Sequence, residues 1–144
     1  MTLTHVLKLA ALGCAMMPLA LQAQPAGEVE YVNACASCHG VEADGNGPLA
    51  ELMTVEVPGL RDLSAQNGGK FPMLDIIMFI DGRTGIRGHG YPMPVWGSRF
   101  KADTEFMGEY GSEMETRGRI LVLAQYIESL QELPEDMSGE ESDD

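Results

Sequence analysis

Cys35-Ala36-Ser37-Cys38-His39 is the stretch that decides how this chain is read. It has the C-x-x-C-H form of a c-type haem attachment site. The spacing suits that chemistry. On a short helical turn both thiols reach one edge of the ring, where they add across its two vinyl groups. His39 is then carried under the iron as the proximal ligand. Other uses of such a pair fit less well. A thioredoxin-like redox pair follows a strand, and no strand pattern precedes this one. A disulfide between cysteines this close would staple only a tiny loop. A structural zinc takes four ligands, usually from two such pairs, and the sequence holds no second pair.

Upstream of the motif the chain opens as an export signal. Lys8 is the only charged side chain before Glu28, and an apolar run from Val6 to Leu21 follows, broken by Pro18. That run is too short and too interrupted for a membrane span. Small residues gather at its end, which places cleavage after Ala23 and makes residues 1–23 a signal peptide; an uncleaved anchor is the alternative. Cys14 resembles a lipidation position, but the apolar run continues past it. Export to the periplasm agrees with the motif, because this haem attachment happens outside the cytoplasm.

The whole chain of 144 residues carries 22 acidic and 9 basic side chains, a formal charge of −13. Such a surface excludes nucleic acid as a partner, since phosphate binding needs clustered Lys and Arg. It favours a protein with a basic docking patch. Removing residues 1–23 takes away Lys8 and no acid, so 22 acids face 8 bases, or −14. The remainder keeps Cys35 and Cys38, and two histidines, His39 and His89.

A second axial ligand must therefore come from His89 or from a methionine: Met53, Met73, Met78, Met93, Met107, Met114 or Met137. Most methionines fill cores. Met73 and Met78 belong to Phe71-Pro72-Met73-Leu74-Asp75-Ile76-Ile77-Met78-Phe79-Ile80, which reads as a buried helix stopped by Asp81-Gly82. Met53 and Met107 have no special setting. Met93 lies in Gly88-His89-Gly90-Tyr91-Pro92-Met93-Pro94-Val95-Trp96-Gly97. The flanking prolines fix their own φ, and Pro94 pushes Met93 toward an extended backbone. A stiff extended loop holds a thioether against a metal with little ordering cost, and Trp96 adds a flat surface beside it. Met93 is the expected sixth ligand; His89 is the alternative.

These residues together resemble the class I cytochromes c, small monohaem His/Met electron carriers. The likeness rests on Cys35-Ala36-Ser37-Cys38-His39-Gly40, on Gly45-Asn46-Gly47-Pro48, on Met93-Pro94-Val95-Trp96-Gly97 and on the final helix. It spans Gly27 to about Leu130. The resemblance implies an all-α cytochrome c fold over residues 24–133, with first and last helices crossing around one covalently attached haem. Gly27 and Tyr31 resemble the family's crossing glycine and aromatic, and Tyr126 matches an aromatic on the last helix. Gly118 offers a second point of close approach. Ser112 and Glu115 have the form of a capping box that would start that helix. Its apolar positions Ile120, Leu123, Ala124, Ile127 and Leu130 follow helical spacing. The family also places a proline carbonyl on the proximal histidine; Pro48 and Pro58 are the candidates, with Pro58 favoured. Arg83, Arg87 and Arg99 are candidates for the haem propionates or are plain surface charges.

The expected function is periplasmic one-electron transport with haem c, Cys35 and Cys38 as covalent anchors, and His39 and Met93 on the iron. No catalytic residues are expected: no Ser/His/Asp set, P-loop or paired carboxylates stand out. A monomer without a stable membrane span follows. Two alternatives are a haem protein with an open or labile sixth position, acting as gas sensor or peroxidase, and an electron-transfer subunit of a dehydrogenase or oxidase complex. The stretch after Gly97, with Asp103, Glu105 and Glu109, departs from the family pattern and reads as a short helix or loop. Residues 134–144 are acidic without a base and read as a disordered tail.

Overall fold

A computed structural model describes residues 25–83 and 93–132. The signal segment, His89, Arg87, Pro92 and the acidic tail lie outside the described residues. Those described are all-α, with no strand among them. The helices are α1 (Ala26–Ala34), α2 (Ala36–His39), α3 (Leu63–Gln66), α4 (Met73–Asp81), α5 (Trp96–Asp103) and α6 (Gly108–Ser129).

Pro25 starts α1, where a missing N–H costs nothing, and Glu28 places negative charge on its first turn. The helix ends at Cys35, whose N–H donates to the Tyr31 carbonyl at 2.8 Å, and α2 follows at once. The long α6 packs against α1, α4 and α5. Its inward residues Ser112, Thr116, Ile120, Leu123, Ala124 and Ile127 recur at helical spacing. Tyr31, Phe100, Ile120 and Leu123 are sealed from solvent. Each such side chain contributes roughly 1.5–3 kcal/mol by leaving water.

α1 and α6 meet at Gly27. A Cβ there would strike the Val122 carbonyl oxygen and lie 2.7 Å from Tyr126 Cβ, so only glycine allows this approach. Tyr31 then packs its ring on Tyr126, centroids 5.4 Å apart. Gly118 takes no part: a Cβ on it would meet nothing within 4 Å. The close approach belongs to Gly27 alone of the two.

Two local expectations need correction. Ser112 does not cap α6. The helix starts one turn earlier at Gly108, whose φ of +74° turns the chain out of the 3₁₀ turn Glu105–Met107. Ser112 is buried inside, and its hydroxyl donates back to the Glu109 carbonyl at 3.2 Å, as serines within helices do. α4 does end at Gly82, in the left-handed region at φ +64°. It is not wholly buried, however: only Ile80 is, while Leu74 is 67% exposed. The stretch after Gly97 forms α5, the 3₁₀ turn and the first turn of α6.

The end of α6 is tied to the middle of the chain. The Gln131 amide donates to the Leu60 carbonyl at 2.7 Å and accepts the Ser64 N–H at 2.8 Å. Arg119 joins α1 and α5 to α6: its guanidinium pairs with Glu30 and Asp103 and lies 4.0 Å over the Phe100 ring.

Candidate functional site

Cys35, Cys38 and His39 reach one cavity because they occupy the α1–α2 junction. Cys35 is the buried capping residue between the helices, Cys38 is half-buried on α2, and His39 ends α2 at 6% exposure. The loop that follows wraps back on the motif and satisfies its carbonyls. Gly45 N–H donates to His39 O at 2.8 Å, Gly47 N–H to Cys38 O at 3.0 Å, and Leu49 N–H to Ser37 O at 2.8 Å. Gly47 has to be glycine, because a Cβ would sit 2.6 Å from the Cys38 carbonyl. The buried Tyr31 hydroxyl donates to the Gly40 carbonyl at 2.7 Å and fixes the turn from α1's side.

His39 Nδ1–H donates to the Pro58 carbonyl at 3.0 Å. A carbonyl can only accept, so the proton is on Nδ1 and the lone pair on Nε2, the tautomer that a metal ligand needs. Pro58, rather than Pro48, holds the ring. Burial pulls the His39 pKa down, opposed by the Pro58 bond, so the imidazole is neutral at neutral pH.

The cavity beside His39 is lined by Cys35, Cys38, Met53, Val55, Met93 and Trp96 among others, with Glu56 its one carboxylate. Its volume is about 200 Å³, and it opens to solvent on one side. A smaller cavity has Leu60, Leu63, Ile76, Phe79, Ile80 and Ile127 in its wall. Cys35, His39 and Met93 line both. The four sequence-predicted residues are therefore brought together, and Met93 is the only methionine common to the two cavities among the described residues.

The sequence reading passed over Met53. It stands in the first cavity as a second thioether, delivered by the 3₁₀ turn Ala50–Leu52, and no local pattern announced it. Two of the candidate arginines have protein partners. Arg83 is held by Asp81 and Glu113, and Arg99 lies 5.3 Å over the Trp96 ring.

The cavity gathers two thiols, an imidazole and two thioethers. Among the described residues no group of three or more His, Cys, Asp or Glu side chains stands ready to hold a metal. A macrocycle brings its own four nitrogens and asks the chain only for two axial donors and an apolar wall. Burial, with Cys38 and Glu30 adding to it, pushes the Cys35 thiol up to about 12. That direction is opposite to the depressed pKa of a thioredoxin-like nucleophile. Both cysteines are free thiols. Compared with known proteins, the chain matches no family model, no curated protein and no solved structure.

Proposed function

We propose that this chain is an exported c-type cytochrome of the class I kind, carrying one haem c and passing single electrons in the periplasm. The observation that carries the reading is the convergence of Cys35, Cys38, His39 and Met93 on one apolar cleft, with His39 Nδ1–H tied to Pro58. In this reading the helices wrap the haem as in the cytochrome c fold. When bound, the haem supplies an iron that takes up and gives back one electron.

The residues divide the remaining work. Cys35 and Cys38 tether the ring as thioethers, so it is not lost to dilution outside the cell. His39 would hold the iron through Nε2, and the Pro58 carbonyl fixes the ring and would strengthen the donor. Met93 would hold the iron through its thioether, a donor that favours the ferrous state relative to a second histidine. The cleft's apolar residues keep water from the metal and lower the local dielectric.

The test is the weak far-red absorption band of the ferric protein, which reports iron–sulfur bonding to a methionine. The wild type is expected to show it, Met93→Ala to lose it, and Met53→Ala to keep it. Absence of the band from the wild type, with ready binding of carbon monoxide to the ferrous form, would replace the carrier by the open-site alternative.

A further inference from the structure

Resting on that reading, we propose that Arg83 is a positioning residue for the sixth ligand: with Asp81 and Glu113 it locks the segment that carries Met93 to α6. The site's ligands do not include these three residues, and none of them lines the cleft.

The lock is built at the two ends of the segment. Gly82, in the left-handed region, turns the chain out of α4, and a Cβ on it would sit 3.2 Å from Val95 Cγ1. Gly97, in the first turn of α5, lies even closer to the end of α4. A Cβ there would be 2.6 Å from the Asp81 carbonyl oxygen and 2.7 Å from Arg83 Nε. The backbone before Met93 is thus in direct contact with the backbone after it. Met93, Pro94 and Trp96 project from this junction into the cleft wall.

Arg83 ties the junction to the longest helix. One edge of its guanidinium holds the Asp81 carboxylate through Nε and Nη2; the other holds Glu113 of α6 through Nη1 and Nη2, at 2.6 and 3.2 Å. Planar two-carboxylate bridging of this kind is specific to arginine. The three side chains are only 18–26% exposed, so solvent screens them less than an open surface pair. Lys101 of α5 and Arg117 of α6 also reach Glu113, at 3.7 and 2.8 Å. α4's end, α5 and α6 therefore meet on one carboxylate. Removing Arg83 takes away the cation shared by Asp81 and Glu113 beside Gly97. α5's first turn, and Met93 three residues before Trp96, lose their fixed reference.

The experiment uses the holoprotein and follows three signals through a urea titration: the far-red band, helical circular dichroism, and exchange of the Arg99 and Phe100 amides in α5. Arg83→Gln and Glu113→Gln are expected to speed that exchange roughly tenfold, the order set by losing a charge-assisted hydrogen bond. They should also lose the far-red band at urea concentrations that leave the helices intact. Arg83→Lys should restore this only in part, since an ammonium lacks the fork. Arg119→Gln, which breaks a comparably shielded ion pair with Glu30 of α1 and a more exposed one with Asp103 of α5, should lose band and helicity together, as the wild type does. Loss of band and helicity together in Arg83→Gln and Glu113→Gln as well, with unchanged amide exchange, overturns the proposal. If Arg83→Gln does not fold, Glu113→Gln decides it. A wild type with no far-red band is a different result: it removes Met93 ligation, and this role of Arg83 with it.

Discussion

Tyr31 is sealed from solvent, and its hydroxyl has one job that the structure shows, donating to the Gly40 carbonyl just past His39. Tyr31→Phe keeps the ring contact with Tyr126 and leaves that carbonyl with the Ala43 N–H alone, at 3.1 Å. The expected cost is about 0.5–1.5 kcal/mol, read as a lower urea midpoint with an unchanged slope. The ferric spectrum should stay as it was, because the Pro58 bond and not the tyrosine orients His39. At this scale the sequence shows what is local. The cysteine pair and its histidine are adjacent in the chain, and the prolines around Met93 sit beside it, so all four stand out from neighbouring residues alone. Met53 and Arg83 are not. Met53 lines the cleft only because a 3₁₀ turn and the extended stretch after it run past His39. Arg83 meets Glu113 thirty positions away. No pattern of adjacent residues encodes either contact.

Helices are where short-range rules worked best and also where they misled. Gly82 marks the end of α4 because a left-handed residue is needed there, and apolar spacing marks the inward face of α6. The start of α6 was misread for a physical reason. Ser112 and Glu115 have the composition of a cap, but the chain is already helical from Gly108, and a serine inside a helix bonds backwards instead. The two glycines of the presumed crossing separate in the same way: sequence cannot say which one faces the other helix. Their substitutions should differ in sign. Gly27→Ala forces a methyl into the Val122 carbonyl, a backbone atom that cannot step aside, and should destabilise by about 1–3 kcal/mol. Gly118→Ala enters open space in a helix interior and should stabilise by roughly 0.5–1 kcal/mol. Urea midpoints of the two variants give the answer. Equal effects would mean that α1 and α6 do not cross at Gly27.

Charge acts over the whole molecule, first on stability. Arg83, then Arg117, hydrogen-bond Glu113 and hold its carboxyl down at about 2, against 4.5 for a free one. A depressed folded pKa stabilises above the unfolded value and loses that contribution as pH falls from about 4.5 towards 2. The acid limb of the stability curve should therefore flatten in Glu113→Gln, with urea midpoints above pH 5 lowered and those near pH 2 converging on the wild type. The second consequence concerns access to the cleft. Its lining includes the exposed Val55 and Glu56, and Glu51 lies in the same exposed stretch of a chain of formal charge −13. If electrons leave through the cleft's mouth, a cationic reagent is drawn to it and an anionic one repelled. Salt weakens both effects, since the screening length falls to about 10 Å at 0.1 M. Oxidation of the ferrous protein by tris(phenanthroline)cobalt(III) should slow as ionic strength rises from 0.01 to 0.5 M, by roughly tenfold for steering of this kind. Oxidation by ferricyanide should accelerate over the same range. Neutralising Glu51 and Glu56 together should reduce both slopes more than neutralising two acids on the outer side of α6, such as Glu109 and Glu115. Equal slopes for the two double variants would place electron exit elsewhere than the mouth beside Val55, and rates indifferent to salt would remove electrostatic steering altogether.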